Sequence, residues 1–335
     1  MEELPIKPKS VPSKNCFKCK SKAQLRYKNN LVVCAECFSF HVCLRAFRSV
    51  IRNQLEVFGK QNDLVVFFDG SVNSAMLAHN VEANVIDNEK VKKKMFFTAQ
   101  FICFDFSELA EQVFGEKAKK LIKNQNDLAV KCFESLKLTY EIIPCSQFES
   151  IDVLVADFLR LPATGGYRED YIRILEHRFL VEYCLKNSRN KIVLPENAEQ
   201  LAARALKLLC KSRHNELVPQ CSISSTLTRD GQVLTFVRPL AERSTREVLF
   251  YSKMNSVVNF ACDRYEWLSI DHTARMLTLP GQGSINQLLM EFITDLQGEY
   301  LSTSSTILKT TERVKEITLD SKPGLVECRV CWTVS

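Results

Sequence analysis

The stretch DLVVFFDGSVNSAML, residues 63–77, decides the fold. Leu64–Phe68 is a purely apolar run without polar alternation, the pattern of a strand buried on both faces of a parallel sheet. Asp69-Gly70-Ser71 then supplies a tight turn, and SAMLAHNVEANVI (74–86) continues as a helix. Free backbone N–H groups and the positive end of a helix converge at such a junction, which therefore suits phosphate. The same small residues also serve as ordinary helix caps. On these residues alone a purely structural turn is the competing reading.

Outward from this unit, strand and helix patterns alternate. MFFTAQFICFD (95–105), TYEIIPC (139–145), KIVLP (191–195) and VLTFVRPL (233–240) read as strands. Helical patterns fall at Ser107 to about Phe133, at 167–186, at 198–213, at 244–254 and at 284–297, with a short strand VVNFAC at 257–262. This order implies an α/β fold with a doubly wound, mostly parallel sheet, and a ligand site at the carboxyl ends of its strands. The expected organisation is a basic leader at 1–15, a zinc ribbon with a basic helix at 16–58, an α/β domain at 60–240, and a helical extension at 241–335.

Cys16-Phe-Lys-Cys19 and Cys34-Ala-Glu-Cys37 flank KSKAQLRYKNNLVV, which reads as two short strands turning at Asn29-Asn30. Two such turns at hairpin tips bring four thiolates to the corners of a tetrahedron, about 2.3 Å from a zinc ion. The spacer is slightly shorter than the roughly 15–20 residues usual between such pairs, which a tight hairpin accommodates. Four unrelated buried cysteines would not explain two identical spacings, so Cys16, Cys19, Cys34 and Cys37 are expected to hold structural zinc. A further pair, Cys328 and Cys331, supplies two ligands, too few for a closed site. Another Cys or His, a partner chain, or no metal at all completes that reading.

In FSFHVCLRAFRSVIRNQLEVF (38–58), Phe40, Leu44, Phe47, Ile51, Leu55 and Phe58 recur as one buried helix face. His41, Arg45, Arg48 and Arg52 recur on another, and no carboxylate lies between Cys37 and Leu55. Guanidinium forks match phosphate, so Arg45, Arg48 and Arg52 are candidates for a nucleic-acid backbone; a solvated helix face is the alternative. The chain carries a net charge of +6, and residues 1–60 hold twelve Lys/Arg against four Asp/Glu. A basic end on a near-neutral body argues for an anionic partner.

The 335 residues, 46% hydrophobic and 25% charged, exclude wholesale disorder, and ten glycines with ten prolines exclude collagen-like sequence. No apolar run approaches the roughly 18–20 residues of a membrane-spanning helix, and the first fifteen residues lack a signal-peptide core. A soluble intracellular chain with reduced thiols is expected, so the fourteen cysteines point to metal rather than disulfides. His79, His177, His214 and His272 stand alone and read as ordinary surface or core residues.

In chain order, the paired-cysteine unit, the helix and the D-G-S-x-N-S turn resemble the tRNA-thiolating branch of the ATP pyrophosphatase (PP-loop) superfamily, from about Cys16 to Cys331. That family carries S-G-G-x-D-S at the turn; Gly70 and Ser74 match, whereas Asp69, Ser71 and Asn73 depart. Phe104-Asp105 stands where the family has an acidic residue near the nucleotide. Leu194-Pro195-Glu196-Asn197-Ala198-Glu199-Gln200 stands at its G-H-N-A-x-D, with Asn197 and Ala198 matching. Val237-Arg238-Pro239-Leu240 is similar to its R/K-P-L segment. By resemblance, then, Gly70, Ser71, Asn73, Ser74, Asp105 and Asn197 form a degenerate nucleotide site.

The family's C-x-x-C-G element has no counterpart in LPATGGYRED (161–170), and Cys221 lies about where its other active-site cysteine falls. Asp69 beside a triphosphate sets like charges together, which argues against ATP in this chain. The resemblance implies a cytoplasmic subunit that binds tRNA and pairs with a catalytic PP-loop partner. The partner would adenylate wobble uridine 34 and transfer sulfur to it from a thiocarboxylated ubiquitin-related modifier protein. Two readings compete: a self-sufficient ATP-dependent tRNA sulfurtransferase, and a non-enzymatic zinc-ribbon interaction module.

Overall fold

The computed structural model describes residues 15–26, 32–55, 62–88, 97–163, 166–269, 284–300 and 302–318. Two compact units form, Met1–Ala46 and Phe47–Ser335. In the first, strands β1 (Leu25–Arg26) and β2 (Val32–Val33) pair antiparallel, Leu25 opposite Val33. The Asn29-Asn30 tip lies outside the described residues. The Cys16–Cys19 turn closes through Cys16 N–H to Ser21 O (2.7 Å) and Lys20 N–H to Cys16 O (3.0 Å), with Lys20 at φ +68°. The second cysteine pair opens α1 (Ala35–Cys37), which widens into a π-helical segment, Phe38–Leu44, and continues as α2 (Arg45–Leu55). The wider turn buries Phe38, Cys43 and Leu44 and leaves Phe40, expected inside, 47% exposed.

The second unit takes in most of α2 and continues with β3 (Asn62–Phe67) and α3 (Val72–Asn88). Next come β4 (Phe97–Asp105), α4 (Ser107–Phe114), α5 (Glu116–Ser135), β5 (Thr139–Pro144) and α6 (Ile151–Arg160). Then follow α7 (Tyr167–Lys186), β6 (Lys191–Val193), α8 (Ala198–Cys210) and α9 (Leu217–Cys221). The remainder is β7 (Ser224–Arg229), β8 (Gln232–Val237), α10 (Thr245–Met254), α11 (Ile285–Glu299) and α12 (Thr303–Thr318).

The sheet order is β5-β4-β3-β6-β8-β7, parallel except for the edge pair β7–β8. From β3 the chain winds outward through β4 and β5, then returns to the other side at β6. The order thus reverses between β3 and β6, the place where open α/β sheets hold ligands.

Side chains alternate between the two faces of the central strands. Val65, Phe67, Ile102 and Phe104 share one core with Leu109, Phe158, Phe179 and Trp267. On the other side of β4, Phe101 meets Phe133 of α5 with ring centroids 5.4 Å apart. Helices α11 and α12 close over α8: Leu289, Met290 and Ile293 lie against Ala202 and Ala203, and Ile307 and Leu308 against Ala205 and Leu208. Among the described residues no helix is long and apolar enough to cross a membrane.

Two expected elements are corrected. The helix from Ser107 breaks at Gly115 (φ +81°), which begins α5 on a new axis. VVNFAC is not a strand: Val257–Phe260 is a 3-10 turn, and Cys262 N–H donates to Gly70 O (2.9 Å) instead of to a ladder.

Candidate metal centre and the site at the sheet reversal

The Sγ atoms of Cys16, Cys19, Cys34 and Cys37 all lie within 4.8 Å of one another. A tetrahedral site with bonds of about 2.3 Å has sulfur–sulfur edges of about 3.8 Å, and Cys19 Sγ lies 3.5 Å from Cys34 Sγ. The Lys18 N–H points at Cys16 Sγ (3.4 Å), a contact that favours the thiolate. The four cysteines can therefore hold a metal ion. Cys328 and Cys331 lie outside the described residues.

The turn after β3 satisfies itself. Asp69 Oδ1 accepts from Ser71 N–H (3.0 Å) and from Ser71 Oγ (2.6 Å). Ser71 Oγ accepts from Ser74 N–H (3.3 Å), and Ser74 Oγ donates to Ser71 O (2.8 Å). Two donors that an anion could use there, the Ser71 and Ser74 N–H groups, are thus engaged by the turn's own side chains, with the Asp69 carboxylate as an internal anion. Gly70 sits at φ +76°, and a Cβ there would come within 2.8 Å of Cys262 Sγ.

The segment carrying Cys262 runs on across the carboxyl end of β4. Arg264 Nη1 donates to Cys103 Sγ (3.1 Å) and Nη2 to Phe104 O, while Nε lies 2.8 Å from Glu176 Oε1. Tyr265 Oη donates to Glu176 Oε2 (2.9 Å). Asp105 holds the start of α4: Oδ1 accepts from Ser107 N–H (2.9 Å) and Oδ2 from Ser107 Oγ (3.0 Å).

Beside the turn, two motifs distant in sequence meet. Asn73 Nδ2 donates to Gln200 Oε1 (2.8 Å), and Gln200 and Asn197 form the reciprocal capping box of α8. Asn197 Nδ2 reaches Thr245 Oγ1 (2.9 Å). Glu196 pairs with Arg204 and, at 2.6 Å, with Arg238. Burial pushes the Glu196 carboxyl up, but the two guanidinium charges and their hydrogen bonds overcome it and hold the group at about 2. Arg238 also donates to Ser222 O (2.9 Å) and Pro219 O (3.2 Å) and is 3% exposed.

A cavity of about 620 Å³ opens at the reversal point, with Asp69, Glu196, Gln200, Arg238 and Tyr265 in its wall. Most of its charged groups are paired, two guanidiniums sharing Glu196 and two lysines sharing Asp170. Lys207 and Lys211 reach Asp170 at 2.6 and 3.1 Å, and Arg213 pairs with Glu216. No cysteine lines it among the described residues. Cys221 is buried among Ala205, Leu208 and Leu217, and burial pushes its thiol up to about 11, far from a reactive thiolate. Glu196, Glu176, Asp170 and Cys221 are thus engaged in structure.

The three arginines of α2 do not form one exposed column: Arg45 is exposed, Arg52 half-buried and Arg48 buried at 8%. At 3.6 residues per turn, Arg48 points almost the same way as Leu55, seven residues on, and so joins the buried side. Cys262, Arg264 and Glu176, which close the turn, carry no local motif. The β7–β8 hairpin did carry one, since Asp230 (φ 47°) and Gly231 (φ 74°) are the two-residue turn such hairpins favour.

Sheet order, closed turn and four-cysteine unit together define an α/β fold like that of the adenine nucleotide hydrolases, PP-loop-like, with an N-terminal cysteine cluster. The U34-tRNA thiolase NcsA from Methanococcus maripaludis, solved with its [4Fe-4S] cluster, is similar in fold, with a TM-score of 0.66 and 15% identity over 96% of this chain and 95% of that one. The model of the family "Cytoplasmic tRNA 2-thiolation protein 2" matches residues 284–334. The protein of that name from Caenorhabditis elegans is 22% identical over 96% of this chain and 91% of its own length. The one from Danio rerio is 26% identical over 46% of this chain and 28% of its own length. Over nearly its whole length the chain is thus distantly similar to proteins named cytoplasmic tRNA 2-thiolation protein 2.

Proposed function

We propose that this chain is the tRNA-holding, non-reacting subunit of a cytoplasmic complex that thiolates C2 of wobble uridine 34. The observation that carries the reading is the Asp69 carboxylate seated on the Ser71 N–H and hydroxyl, where a nucleotide phosphate would have to bind. Adenylation and sulfur transfer then belong to a catalytic PP-loop partner, with a thiocarboxylated ubiquitin-related modifier protein as sulfur donor. The four cysteines hold zinc, which four soft thiolates in tetrahedral array favour. Arg45 and Arg52 contribute to the grip on the tRNA backbone.

Two measurements test this. Nucleoside mass spectrometry of tRNA from cells lacking the gene should show loss of 2-thiolated wobble uridine; its persistence would refute the reading. ATP–pyrophosphate exchange should be absent for the purified chain and appear when the catalytic partner is added. Exchange by the chain alone would instead make it a self-sufficient enzyme.

A further inference from the structure

We infer that the cavity at the sheet reversal takes one unstacked nucleotide of the tRNA, its base lying against the His177–Phe236 ring pair, without ATP. The inference rests on the proposed reading of the chain as a tRNA-binding subunit. At about 620 Å³ the cavity falls inside the roughly 300–1,000 Å³ range of small-ligand sites. His177, on α7, stacks on Phe236 of β8 with centroids 5.1 Å apart and planes 19° apart. Both rings line the cavity, as do Tyr171, Leu180 and Leu194.

His177 is surrounded by protein yet exposed towards this space, and among the described residues neither of its ring nitrogens has a hydrogen bond. Burial, helped by the Arg238 charge, pushes it down to about 4. At neutral pH it therefore presents one donor and one acceptor at its ring edge, beside an uncharged stacking face.

The charges of the wall decide between a base and a triphosphate. Glu196 is tied to both Arg204 and Arg238, and Glu176 to Arg264. Asp69 adds a negative charge at the one place a phosphate chain would reach for N–H groups. A highly charged anion would have to break buried ion pairs, which is costly. A neutral base breaks none. Further out, the Lys211 and Arg213 side chains are 29% and 33% exposed, placed to meet the sugar–phosphate of a flipped nucleotide. Single-stranded loops offer bases that can be splayed out and stacked on aromatic or His rings in this way.

The test uses the full chain with its catalytic partner and tRNA transcripts carrying a single photoreactive 4-thiouridine at successive loop positions. One position should crosslink to the peptide Ile174–Arg178, which contains His177, and millimolar ATP should not compete. His177→Leu should raise the Kd for tRNA about tenfold, within the range of losing one stacked base, without changing the salt dependence. Ile174→Trp, which narrows the cavity while leaving every polar group in place, should do the same. Crosslinks only elsewhere, or ATP abolishing them, would overturn the inference while leaving the tRNA-subunit reading intact. Unchanged affinity in both variants would do so too. A complex that binds no tRNA at all would remove both.

Discussion

Replacing Glu196 with Gln removes the charge that joins two buried guanidiniums while keeping the side-chain shape. In the folded chain the carboxyl sits at about 2 against an ordinary value of 4.5. By linkage, that difference stabilises the fold by about 3 kcal/mol at pH 7. The Glu196 side chain is 16% exposed, so solvent screening removes little of this. A separate route agrees, since removing one partner of a buried ion pair costs about 3–5 kcal/mol. Because the folded value is depressed, the contribution is present above pH 4.5 and is lost as pH falls towards 2. Glu196→Gln should therefore lower the melting temperature by about 6–12 °C at pH 7. The gap from the parent chain should stay level between pH 7 and 5 and narrow below 4.5. Circular-dichroism melts across this range are the assay. A loss under about 1 kcal/mol, or a gap that persists undiminished into the acid range, would refute the assignment of Glu196 as the ionic link between Arg204 and Arg238.

Other outcomes follow from the same geometry. Gly70→Ala, strained at φ +76° and driven against Cys262 Sγ, should destabilise by more than 1 kcal/mol, and adding Cys262→Ala should recover part of the loss in urea titrations. Elemental analysis should find one tightly held zinc per chain, and none once Cys16, Cys19, Cys34 and Cys37 are all Ser. Replacing Arg45 and Arg52 with Gln should flatten the salt dependence of tRNA binding by roughly 0.7–0.9 in log–log slope per lost contact. Arg48→Gln should show mainly as lost stability, because Arg48 is buried.

Much of the fold was legible because burial writes itself into composition. The run Leu64–Phe68 reads as a doubly covered strand, and α8 and α10 follow their apolar periods. The four-cysteine cluster was legible from spacing alone, since two C-x-x-C turns leave few other arrangements. What sequence did not disclose depends on contacts between distant segments. Nothing near Cys262 or Arg264 marks them as the cover of a turn about 190 residues earlier. The burial of Arg48 was hidden because the arginine stripe is narrow, about 60° wide, and Arg48 is its member nearest the apolar face, about 20° from Leu55. His177 reads as a stray histidine until Phe236 and the cavity are placed beside it.

The doubly sealed turn bears on how this lineage can change. Substituting Asp69 by serine would still leave Cys262 pressed on Gly70 and Arg264 lodged over β4. Trimming those two residues first would leave a carboxylate facing any incoming polyphosphate. Each single step thus loses internal contacts before the next can offset them, so the loop behaves as a ratchet held by two teeth, neither of which releases alone.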